Sequence, residues 1–174
     1  MEQSRSISTV QTANISLFHF IAMTNLFLPF LIIAVSCGSV ICTNVLPCTS
    51  VDIPPPVVEI QNCEDMPCVF YLNTRTSMTM KFRAPRYLEH FAPQALAMVM
   101  GLNVTYPLGQ DDGCDGVTNT PCPLAENEYV EYTYGMYLLP FFPEVTLSME
   151  FSLFDKDLNS TFECFKIDVQ ITKA

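Results

Sequence analysis

Six cysteines, Cys48, Cys63, Cys68, Cys114, Cys122 and Cys164, lie downstream of an apolar leader, and this pairing of features constrains the fold more than any other. Leu26 to Val35 is a ten-residue apolar run followed by small residues and Val40-Ile41-Cys42, which suits cleavage by a signal peptidase before Thr43. Cys37 and Cys42 leave with such a leader, and the even number that remains can pair fully in an oxidising compartment. Residues 1–42 therefore read as leader, with Met23 as an alternative start, and residues 43–174 as one domain. The competing reading is an uncleaved anchor. His19, Thr24, Asn25 and Pro29 interrupt the roughly 20 apolar residues that a span needs.

Six cysteines admit fifteen pairings. The stretches Cys63 to Cys68 and Cys114 to Cys122 look like two local loops, which leaves Cys48 and Cys164 to join the ends of the domain. Closing so long a loop removes roughly 4–5 kcal/mol of unfolded-state freedom in the chain-entropy model.

Downstream of the leader the hydrophobic pattern has period two, the mark of strands with one dry and one wet face. Val145, Leu147, Met149, Phe151 and Leu153 alternate with Thr146, Ser148, Glu150 and Ser152. Met78, Met80 and Phe82 form a second apolar row, and Val130, Tyr132, Tyr134, Met136 and Leu138 a third. In the last strand Phe165, Ile167, Val169 and Ile171 point inward, opposite Cys164, Lys166, Asp168 and Gln170. Ala95 to Leu102 is apolar nearly throughout and reads as a strand covered on both sides or a buried helical turn. Thirteen prolines punctuate the chain, so the expected class is an all-β sandwich or barrel.

Charge narrows the partners. The formal net charge is −10, and no Lys or Arg occurs between Arg86 and Lys156. Nucleic acid, which needs a basic stripe, is a poor partner, as is any strongly anionic surface facing the middle of the chain.

Several local patterns occur together: Cys63-x-x-x-Pro67-Cys68, Asp112-Gly113-Cys114, Cys122-Pro123-Leu124, and the ending Phe162-x-Cys164-Phe165-x-Ile167-x-Val169-Gln170-Ile171. In this order and spacing, from about Cys48 to Ile171, the chain resembles the ML (lipid-recognition) domain family, most closely its Niemann-Pick type C2-like sterol carriers. The resemblance implies an immunoglobulin-like β-sandwich of two antiparallel sheets with a lipid cavity between them. It also implies the pairs Cys48–Cys164, Cys63–Cys68 and Cys114–Cys122, and an entrance at Tyr106, Leu138 and Phe142. A secreted or lysosomal monomer follows, one that carries a sterol or similar apolar lipid and passes it to a membrane sterol transporter or receptor ectodomain.

Residue types support a cavity. Met80, Met98, Met136 and Met149, with Phe82, Tyr134 and Phe151, sit on apolar rows, where adaptable thioethers and flat rings can wall a sterol. The same residues can equally form an ordinary packed core.

Other chemistry finds less support. The domain holds one histidine, His90, and no Gly-x-Ser-x-Gly elbow, so no enzyme is expected. Asp111 to Gly116 lacks the twelfth-position glutamate of a calcium loop, Cys122 standing there, and reads as a turn; neither metal nor cofactor is expected. Asn103-Val-Thr105 and Asn159-Ser-Thr161 are glycan acceptors in an exported chain. Two other functions within the family type remain: an innate-immune co-receptor for lipid A, disfavoured by the missing basic residues, and an extracellular carrier of semiochemicals or fatty acids.

Overall fold

The computed structural model describes residues 42–174, so the leader, with its Met23 start, lies outside the described residues. Eight strands are present among them: β1 (Val57–Ile60), β2 (Cys68–Tyr71), β3 (Arg75–Arg83), β4 (Phe91–Val99), β5 (Leu102–Tyr106), β6 (Tyr129–Tyr137), β7 (Val145–Asp155) and β8 (Ser160–Thr172). They form a small sheet in the order β1-β3-β6 and a large one in the order β2-β8-β7-β4-β5. The result is an immunoglobulin-like sandwich, and the alternating rows supply its two inner faces.

One pairing departs from the expected antiparallel sheets. β2 runs parallel to β8, with Cys68 opposite Val169 and Phe70 opposite Ile171. These strands come from opposite ends of the domain, so no hairpin turn dictates their relative direction.

The apolar run at Ala95 to Leu102 is neither one covered strand nor a buried helical turn. It is a hairpin, β4 turning into β5 through Met100 and Gly101, whose φ angles are 51° and 79°. Two consecutive residues with positive φ are what a tight hairpin demands. Met100 at the tip is 96 % exposed.

All three expected disulfides are present, and Cys48–Cys164 spans 116 residues of sequence. Cys48 holds the N-terminal segment against the outer face of the large sheet, where Leu46 bridges to Lys166. This corrects the wet side assigned to Glu150, which is 2 % exposed. Its Oε1 accepts hydrogen bonds from the Thr49 amide at 2.5 Å and the Thr49 hydroxyl at 2.6 Å. Burial raises the Glu150 pKa, but hydrogen bonds from Ser50 and Thr49 outweigh it and hold the carboxyl below its ordinary range.

The sandwich is solid at one end. Phe162 packs against Phe82 and Phe91 with ring centroids 6.0 and 5.7 Å apart, and Met80 and Leu153 are completely buried. A 3-10 turn at Gly113–Gly116, capped by Asp112, closes onto this core. A Cβ at Gly116 would lie 2.3 Å from the buried Tyr132 ring, so only glycine permits this approach.

Candidate functional site

The other end of the sandwich is hollow. A cavity of about 220 Å³ lies between the sheets. The large sheet contributes Phe70, Ala97, Val99, Tyr106, Val145, Leu147, Met149, Val169 and Ile171; Met136 on β6, Leu138 just beyond it, and the Phe142-Pro143 corner cover it. On the large sheet the small or branched Ala97, Val99, Val145 and Val169 face this half, whereas the rings of Phe82, Phe91 and Phe162 converge at the far end. Every lining residue is apolar apart from the Tyr106 hydroxyl.

A second, smaller void of about 30 Å³ shares Phe70, Met136 and Met149 with the first. It is bounded further by Tyr134 and Phe151, and on the small sheet by Ile60 and Met78. Phe70, Met136 and Met149 therefore stand between the voids, and of these the two thioethers reorient at little cost. Tyr134 holds one wall in place, its hydroxyl donating to the Leu108 carbonyl at 2.6 Å. Burial pushes the phenols of Tyr106, Tyr132 and Tyr134 upward, so all three stay protonated at physiological pH.

Of the ten ligand-contacting positions expected from sequence, seven border the two voids: Tyr106, Leu138, Phe142, Tyr134, Met136, Met149 and Phe151. Met80 and Phe82 do not. Both face inward but belong to the solid end, where the rings around Phe162 leave no space. Met98 is on the wrong face: β4 turns Ala97 and Val99 toward the cavity, so Met98 between them points outward.

Leu138 also changes role. It is 1 % exposed, a wall of the cavity rather than part of its rim. Tyr106 and Phe142 remain half-buried, with rings 6.2 Å apart in an edge-on arrangement, and Phe142 meets the 76 % exposed Phe141 edge-on in turn, at 5.6 Å. Sequence reasoning missed Phe70, Ala97, Val99 and Pro143 as lining residues, while it had already placed Val145, Leu147, Val169 and Ile171 on inner faces. Phe70 lies on a four-residue strand too short to show a period, and the β4 residues were hidden in the run that conceals the hairpin.

No Lys or Arg lies in Val99 to Tyr106 or Leu138 to Val145, the segments that carry this aromatic group. The one acid there, Glu144, pairs with Lys173 at 2.9 Å. Among the described residues, no helix is long and apolar enough to cross a membrane.

Comparison with known proteins agrees with this architecture. NPC intracellular cholesterol transporter 2 of Mus musculus is 25% identical over 115 residues, covering 66% of this chain and 75% of that protein. NPC intracellular cholesterol transporter 2 homolog a of Drosophila melanogaster is 25% identical over 116 residues, covering 66% and 77% respectively. The crystal structure of a Niemann-Pick type C2 protein from Japanese carpenter ant superposes with a TM-score of 0.61 at 19% identity, over 78% of this chain and 96% of that one. The ML domain family model matches residues 36–171, most of the sequence, and the chain belongs to the ML domain family.

Proposed function

We propose that this protein carries one sterol or similarly flat apolar lipid between its sheets. The observation that carries the reading is the cavity of about 220 Å³ between the sheets, lined by apolar side chains; the partly exposed aromatic group of Tyr106, Phe142 and Phe141 supports an entrance there. Its resting volume is below the roughly 300–1,000 Å³ typical of small-molecule pockets. A sterol must therefore displace part of the wall, and the Met136 and Met149 partition toward the second void is the part that yields. Burying on the order of 400 Å² of ligand gains roughly 10 kcal/mol by transfer, before the costs of ordering and association. Submicromolar binding follows without an ionic contact.

The relatives named as cholesterol transporters support a sterol as cargo. The segments Val99 to Tyr106 and Leu138 to Val145 carry no Lys or Arg, and the neighbouring Lys173 is paired with Glu144, which disfavours lipids that are held by their phosphates. In this reading the protein is exported, works as a monomer in the extracellular space or a lysosomal lumen, and hands its cargo to a membrane transporter or receptor ectodomain.

A fluorescent sterol titrated against the wild type and Phe142→Asp tests the site. The charge at the half-buried rim should abolish uptake while the denaturation midpoint changes little. Unchanged uptake would remove the entrance from Phe142, and displacement by fatty acids or volatile hydrocarbons in preference to sterols would change the cargo. Leu138→Asp is no equivalent test, because a carboxylate buried there would unfold the protein.

A further inference from the structure

In the sequence, Asn103 stands three residues before Tyr106, so a sugar there has two placements, in the entrance or beside it. The strand register decides between them. Val104 and Tyr106 pair with Ala97 and Ala95, on the cavity face, whereas Asn103 pairs with Met98 and Thr105 with Leu96. Paired residues of an antiparallel ladder share a face, so Asn103 and Thr105 project from the outer surface of the large sheet. Both are exposed, and the half-buried Leu96 and Met98 beside them leave an apolar strip on that surface.

β5 is also the last strand of the large sheet, with no partner on its far side among the described residues. A free edge is a template for pairing with another chain, and proteins usually blunt it with Lys, Pro, an inward charge or a bulge. Leu102 to Tyr106 contains no charge and no proline, and its register with β4 is unbroken. Leu102 and Val104 are 69 % and 53 % exposed on the inner face. An edge so apolar and so regular would be expected to recruit a second copy.

We propose that Asn103 carries an N-linked glycan that masks this edge against a second copy and stands clear of the cavity entrance. The proposal rests on the reading that the chain is exported. In the transfer, the Asn103 amide nitrogen attacks the anomeric carbon of a lipid-linked oligosaccharide diphosphate. The N–C bond forms as the C–O bond breaks; the lipid diphosphate leaves with the electron pair, and a base of the transferase takes the amide proton. Thr105 completes the acceptor triplet. The first sugar would lie over Met98 and Leu96, covering the apolar strip that the outer face otherwise exposes.

The test uses the full chain secreted from a glycosylating eukaryotic host, as wild type, Asn103→Gln, Thr105→Ala and Asn159→Gln. Peptide mass mapping reads occupancy, sedimentation reads association, and fluorescent sterol titration reads the cavity. The expected result is an occupied Asn103 and, on its loss in either variant, self-association tightened by at least about tenfold with sterol affinity unchanged within about twofold. Asn159→Gln, which alters the tip of the β7–β8 hairpin, should leave association unchanged. Enzymatic removal of the glycan from the folded wild type serves if the variants fail to fold. An unmodified Asn103 in the secreted protein overturns the proposal, as does a deglycosylated protein that stays monomeric. So does a sterol affinity altered by sugar removal, because the glycan would then stand in the entrance. A glycoprotein that behaves as described but binds no sterol leaves the masked edge intact and refutes only the carrier reading.

Discussion

Filling the cavity should raise stability and lower affinity together. In packed cores an empty volume costs about 24 cal/mol per Å³, so the void of about 220 Å³ corresponds to about 5 kcal/mol forgone relative to a filled interior. Ala97 lies on the cavity face of β4, where a longer side chain grows into space rather than into a neighbour. The series Ala97→Val, Ala97→Leu and Ala97→Phe fills the void stepwise. If the phenyl ring recovers a third to a half of the cost, Ala97→Phe gains about 2 kcal/mol, a rise of roughly 6–8 °C in Tm for a domain of this size. Bound sterol, meanwhile, stabilises the wild type by about 2.7 kcal/mol at one hundred times Kd and should add nothing to Ala97→Phe. Differential scanning calorimetry with and without sterol measures both terms. The reasoning fails if Ala97→Phe keeps its full sterol-induced shift, or if Tm falls steadily along the series, which would mean that no void receives the added atoms.

Three further expectations follow from the structure. Glu163 stands opposite the fully buried Leu153, and burial raises its carboxyl from 4.5 to about 7. The folded state thus holds this proton more tightly than the unfolded one, and stability falls as pH rises from about 4.5 to 7, by at most about 3 kcal/mol and on the order of 1–2 after solvent screening. Urea unfolding at pH 5 and pH 8 should show the difference, and Glu163→Gln should flatten it; an unaltered slope would show that another group is responsible. Replacing both Cys48 and Cys164 by Ser should cost roughly 4–5 kcal/mol, read from the denaturation midpoint, because 116 residues of chain regain their freedom when unfolded. Gly116→Ala should cost about 1–3 kcal/mol, since the new methyl must displace the Tyr132 ring, whereas Gly135→Ala, which meets no atom within 4 Å, should be nearly neutral by the same measurement.

The alternating rows of β3, β6, β7 and β8 were readable because each buries one face, and a period of two survives wherever one side stays wet. The rule failed where a second layer covered the outer face. Glu150 looked solvated because nothing local shows that the distant Thr49 segment lies over it. The β4–β5 hairpin was concealed because its turn residue Met100 is apolar and only Gly101 signals a break. At the site, Tyr106, Leu138 and Phe142 came from the resemblance, while the split between a solid and a hollow end was not legible at all. It depends on which aromatic rings converge across the sheets, and Met80 and Met136 look alike in sequence although one lies in packed core and the other against a void.

The unequal strand numbers of the two sheets have a consequence for how much of the inner face is covered. Three strands cannot roof five, and β5 is left with Leu102 and Val104 uncovered on the side where a matching strand would lie. The uncovered part of the inner face is thus set by strand count, and lengthening or shortening the loops that join the strands supplies no partner for it. A single additional strand on the small sheet would cover Leu102 and Val104.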